Sequence, residues 1–120
     1  MKLPDDPLAW VLQNSNSLVV MNALRTGAER APLEIRKGSG IHPELFRKVV
    51  HTLAGYGLVA IRARKGARLH RVPRGWGIEV VLELTPKGFR ILETIDEIRE
   101  VIRRHATELP RPTVERWLPS

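Results

Sequence analysis

Between Phe46 and Ile102 the spacing of apolar residues changes period twice, and this restricts the folds open to the chain. Phe46, Val49, Val50 and Leu53 recur at helical intervals. Gly55 and Gly57 interrupt that pattern. Leu58-Val59-Ala60-Ile61 then opens a strand in which Arg62 and Arg64 fall on one face at spacing two. A second strand, Ile78 to Leu84, reads I-E-V-V-L-E-L. The segment between them, GARLHRVPRGWG, predicts a hairpin with an extended basic tip rather than a tight two-residue turn. Beyond Thr85-Pro86 the helical interval returns, with Ile91, Ile95, Ile98 and Ile102 separated by four, three and four residues as in a coiled-coil seam. That helix is expected to run to about Ala106, some 30 Å at 1.5 Å per residue.

The first third of the chain is punctuated by helix signals. Asp6-Pro7 reads as an N-cap followed by proline at the first helical position, opening a short helix through about Gln13. Asn14, Ser15 and Asn16 are expected to break it, and Ser17 to cap a second helix. Leu18, Val19, Met21, Leu24 and Ala28 would form the buried stripe of that helix. Pro32 opens a third helix that stops at Gly38-Ser39-Gly40, and His42-Pro43-Glu44 opens a fourth. The organisation expected is an N-terminal helical extension (1–14), a central domain (15–85), a closing helix (86–106) and an extended tail (107–120). The fold class is α+β, mostly α.

At 120 residues, 42% hydrophobic and 28% charged, the chain has the composition of one globular domain. It has no cysteine, which excludes disulfides and thiolate metal sites. No apolar run approaches the roughly 20 residues that span a bilayer, and the segment MKLPDDPLAW lacks the apolar stretch of a secretory signal, so a cytoplasmic address and no membrane partner are expected. The net charge of +7 is concentrated: residues 45–78 hold eight basic groups and no acid, leaving twelve basic and thirteen acidic groups on the other 86 residues. A single-sign block of this kind sets up a field suited to a polyanion.

The stretch GIHPELFRKVVHTLAGYGLVAIRARKG resembles the recognition helix and first wing strand of MarR-like and HxlR-like transcriptional regulators. RVPRGWGIEVVLELTPKGFRILETI is similar to their second wing strand and following helix, with Leu53, Gly57, Leu58, Val59, Leu84, Thr85, Gly88 and Leu92 at the matching positions. The resemblance covers roughly residues 15–104. It implies a winged helix-turn-helix domain, binding to double-stranded DNA and a role in transcription regulation. Two departures stand out: the cysteine common in HxlR-like proteins is missing, and the chain is shorter than most MarR-like proteins. No small-molecule effector is evident.

On that reading helix 42–55 enters the major groove with His42, Glu44, Arg47, Lys48, His51 and Thr52, whose side chains can donate to or accept from base edges or phosphates. As an ordinary amphipathic helix the same residues would be its solvated face. The wing 62–76 offers Arg62, Arg64, Lys65, Arg68, His70, Arg71 and Arg74 to the backbone or the minor groove. Ile91, Ile95, Ile98 and Ile102 are the expected homodimer interface, which would place two recognition helices about one DNA turn apart. The function expected is a dimeric repressor, nucleoid-associated. The alternatives are an architectural, chromatin-type DNA-binding protein and a winged-helix protein-interaction module. Catalytic residues, a metal and a cofactor are not expected: His42 and His51 are nine apart rather than at the four-residue spacing of a helical metal pair, and no nucleophile has an obvious base.

Overall fold

A computed structural model describes residues 5–64, 69–72 and 75–118, with backbone alone for 69–72 and 75–78. The elements are α1 (Pro7–Gln13), α2 (Ser15–Ala23), α3 (Pro32–Ser39), α4 (Pro43–Gly55), β1 (Val59–Ala63), β2 (Leu69–Val72), β3 (Gly75–Ile78), β4 (Val80–Leu84), α5 (Pro86–Arg104) and α6 (Arg111–Trp117). The chain divides into two compact units, one through Phe89 and one from Arg90.

In the first unit, proline and cap chemistry set the helix starts as expected. Asp6 Oδ1 accepts from the Leu8 N–H at 3.0 Å, and Pro7, Pro32 and Pro43 each occupy a first turn, where a missing N–H leaves no intrahelical bond unmade. Gly40, at φ 72°, closes α3 in the left-handed conformation that favours glycine. The break between α1 and α2 is narrower than the Asn14-Ser15-Asn16 run suggests, because α2 begins at Ser15.

Ser17 is not the cap of α2. It lies fully buried, and its hydroxyl is shared between the carbonyls of Asn14 (2.5 Å) and Val11 (3.3 Å), so it satisfies the end of α1 instead. With that hydroxyl satisfied, the inner face of α2 is Ser17, Val20, Met21 and Leu24, and Val19, expected inside, is 43% exposed. The rest of the core includes Val11, Ile35, Leu53, Leu58 and Leu82, all nearly inaccessible. Through it α2 packs on α1, α3 and α4, and α4 on β1.

β1 and β4 pair antiparallel from Val59↔Leu84 to Ala63↔Val80. The expected strand Ile78–Leu84 is interrupted at Glu79, and the connection holds a second antiparallel pair, β2–β3, from Leu69↔Ile78 to Val72↔Gly75. The stretch expected to form an extended basic tip is therefore corrected to a second paired ladder as far as Val72 and Gly75. The other edge of β4 takes up one more residue: the Arg30 N–H donates to the Leu82 carbonyl at 3.0 Å and the Leu82 N–H to the Arg30 carbonyl at 2.8 Å. A single bridging residue has no periodicity, which is why no strand is legible there.

The β4–α5 junction rests on the Leu-Thr-x-x-Gly stretch. Thr85 Oγ1 donates to the Gly57 carbonyl at 2.6 Å and accepts the Gly88 N–H at 3.0 Å, while the Thr85 N–H reaches the Leu58 carbonyl at 3.1 Å. Lys87 Nζ donates to the Tyr56 carbonyl at 2.8 Å. The end of α4 is thereby tied to the start of α5.

In the second unit α5 ends at Arg104, two residues short of the expected boundary. The tail expected to be extended instead forms α6, with Pro112 in its first turn and Arg111 Nε 2.8 Å from Glu115 Oε1. Three prolines suggested extension, but a proline in the first turn opens a helix as readily as it ends one. No helix is long and apolar enough to cross a membrane among the described residues.

Candidate nucleic-acid interface

α4 separates its residues as the helical interval requires. Phe46, Val49, Val50 and Leu53 are buried, while Glu44, Arg47, Lys48 and His51 are exposed and Thr52 is half-buried. His42 has a defined local role: its Nδ1 accepts the Glu44 N–H at 3.3 Å, so its ring caps the helix and is not free to hydrogen-bond elsewhere through that nitrogen. Glu44 sits in the first turn, where the helix dipole favours a carboxylate. Among the described residues, no carboxylate lies within ion-pair distance of Arg47 or Lys48. Together with Pro43 and Glu44 they line an open depression of about 410 Å³ at the N-terminal end of α4.

Thr52 is placed differently from its polar companions. Its Oγ1 donates to the Lys48 carbonyl one turn back at 2.9 Å, so its hydroxyl is engaged by its own helix. On the opposite flank, Arg47 and His51 border a mainly apolar cleft of about 280 Å³ that runs between α4 and the β1–β4 sheet.

The wing base brings together charges that the sequence keeps apart. Arg62 lies in the β1–β4 ladder opposite Val81 and Arg64 follows directly after its last pair, and both are exposed. Arg62 Nε lies 3.2 Å from Glu83 Oε2, and Arg64 Nη1 lies 3.8 Å from Glu79 Oε2. The acid-free block ends at Ile78, and the strand that returns beside it carries the carboxylates back over its arginines. Exposed pairs of this kind are worth about 0.2–1 kcal/mol, little enough for phosphate to displace the carboxylate. Of the other wing residues, Lys65, Arg68 and Arg74 lie outside the described residues. His70 and Arg71 stand in β2 opposite Gly77 and Trp76, and their side chains also lie outside the described residues.

The four isoleucines of α5 separate into two pairs. Ile95 and Ile102 are buried at 1% and 8% exposure, whereas Ile91 and Ile98 are half-buried, so a strict four-residue seam is not what the helix leaves open. Val101, absent from that seam, is 54% exposed.

Leu45 is 44% exposed beside Glu44, although the interval of the core stripe already excludes it from the interior. Counting the residue at each angle around the helix would have singled it out. Among the described residues, no group of three or more acidic or histidine side chains is arranged to hold a metal ion.

No protein-family model and no curated protein matches the sequence. Solved structures do match the fold. The PcaV transcriptional regulator from Streptomyces coelicolor, crystallised with its natural ligand, superposes with a TM-score of 0.52 at 20% identity over 83% of this chain. NMB1585, a MarR family regulator from Neisseria meningitidis, gives 0.51 at 23% identity over 82%. The match covers about two thirds of the length of each, 65% and 67%. At these identities the likeness is one of fold, the winged helix found in MarR family transcriptional regulators.

Proposed function

We propose that this chain is a double-stranded DNA-binding transcriptional regulator without enzymatic activity, working in the cytoplasm as a homodimeric repressor. α4 lies in the major groove, where Arg47 is suited to the acceptor edge of guanine and Glu44 to the amino group of cytosine, with Lys48 and His51 near phosphate. The wing follows the backbone or the adjacent minor groove, exchanging the carboxylates of Glu83 and Glu79 for phosphate oxygens. His42 contributes by capping α4 rather than by contacting bases.

One observation carries the reading. The outer face of α4 is charged and exposed, with no carboxylate within ion-pair distance of Arg47 or Lys48 among the described residues, within a fold used by known regulators. Homodimerisation is supported by apolar surface on the second unit. Val101 is exposed, Ile91 and Ile98 are partly so, and α6 has no fully buried residue. A two-fold dimer calls for an inverted repeat with half-sites about 10 bp apart.

The test is selection from random-sequence duplexes at about 150–200 mM salt, which suppresses phosphate-only binding. An enriched inverted repeat is the expected result. Retention without enrichment would mean an architectural DNA-binding protein, and no retention would mean a protein-interaction module.

A further inference from the structure

We infer that Leu45 reads the 5-methyl group of a thymine, making it a specificity-determining residue of α4; the inference rests on α4 occupying the major groove. The helical interval places Leu45 off the buried stripe formed by Phe46, Val49, Val50 and Leu53, and it is 44% exposed. Partly covered by its neighbours, it still leaves apolar surface in water at the end of the helix that carries Glu44 and Arg47.

Its neighbours on the same flank, at three and seven residues along, are Lys48 and Thr52. Thr52 commits its one hydroxyl proton to the Lys48 carbonyl, so it has no donor left and offers its methyl beside an acceptor oxygen. This flank is consequently rich in hydrocarbon: the leucine side chain, the stem of Lys48 and the Thr52 methyl. The opposite flank presents hydrogen-bonding groups, Arg47 toward base edges and, one turn on, His51 toward phosphate. The helix thus offers two chemistries to a groove in which base edges carry donors, acceptors and a single kind of apolar group, the thymine methyl. Hydrogen-bonding side chains on one flank match the first set, and Leu45 matches the second.

The test uses the full chain and the duplex enriched by selection, with each thymine replaced in turn by deoxyuridine. Binding is measured by fluorescence anisotropy. One replacement is expected to weaken binding by the wild-type protein roughly three- to five-fold, the worth of about one buried methyl. Leu45→Ala should bind the thymine duplex more weakly by a similar factor and lose sensitivity to that replacement. Leu45→Met should retain it. The dependence on salt should be the same for all three proteins, because no phosphate contact changes.

Equal binding of thymine and uridine duplexes, or a Leu45→Ala protein as methyl-sensitive as wild type, would overturn the inference while leaving DNA binding intact. Retention without sequence enrichment would also overturn it. Failure to bind any duplex would remove both the inference and the function on which it rests.

Discussion

Arg62 Nε stands 3.2 Å from Glu83 Oε2 although the two residues are 21 positions apart, and the β1–β4 register makes them diagonal neighbours, with Arg62 opposite Val81 and Ala60 opposite Glu83. The wing base is therefore a balanced ion-pair surface in the free protein. A phosphate that takes up Arg62 must either displace the carboxylate from Nε or share the guanidinium with it, and lies near that carboxylate in both cases. Glu83→Gln relieves the penalty either way. It is expected to tighten duplex binding at low salt by up to about five-fold, the range of an exposed pair, and the gain should shrink as salt rises. A Glu83→Gln protein that binds no better would show that Arg62 takes no part in the contact.

The complementary change removes the cations. If both Arg62 and Arg64 meet phosphate, the Arg62→Ala/Arg64→Ala double variant should lower the slope of log affinity against log salt by roughly 1.8, at about 0.9 per phosphate contact. A salt titration by anisotropy reads this directly. An unchanged slope would place the wing base away from the DNA.

Gly88 has no room for a side chain. A Cβ there would lie 2.3 Å from the Leu58 carbonyl oxygen and 2.7 Å from Leu84 Cδ1, and the first of these is backbone that cannot swing aside. Gly88→Ala is expected to destabilise the fold by roughly 2–3 kcal/mol, as an overpacked contact does. Urea unfolding would show a lower midpoint at an unchanged slope.

Thr85 tests the same junction from the hydrogen-bond side. Thr85→Val preserves the shape but leaves the Gly57 carbonyl and the Gly88 N–H without the hydroxyl that serves them. The expected loss is about 1–3 kcal/mol, with Thr85→Ser close to wild type. If Thr85→Val were as stable as Thr85→Ser, water would be replacing those bonds at no net loss.

Val101 bears on assembly. It is 54% exposed, so Val101→Glu should leave the monomer fold intact, with an unchanged far-UV circular dichroism spectrum. In sedimentation equilibrium at tens of micromolar, wild type is expected at twice the chain mass and Val101→Glu at a lower average mass. A wild-type protein at the mass of one chain would remove the homodimer from the proposal.

Much of this was legible in the residues themselves. The starts of α1, α3 and α4 follow from Asp6-Pro7, Pro32 and His42-Pro43, because caps and first-turn prolines act within three or four residues of chain. The inner face of α4 follows from a helical interval that needs no partner to be read. Ser17 was misplaced for the opposite reason. A serine before an apolar run reads as an N-cap, and only the end of α1 folding back beside it turns its hydroxyl to Val11 and Asn14.

Patterns along the chain were enough to set the succession α1 to α4, β1, β4 and α5, the phase of α4 and the concentration of positive charge in residues 45–78, whereas the β2–β3 pair and α6 were not legible there. The tertiary structure decided what those charges face. Strand register laid Glu83 and Glu79 against Arg62 and Arg64, and brought Arg30 to the free edge of Leu82. Pairing across a hairpin brings together residues tens of positions apart, and no local pattern records which ones meet until both backbones are hydrogen-bonded in place.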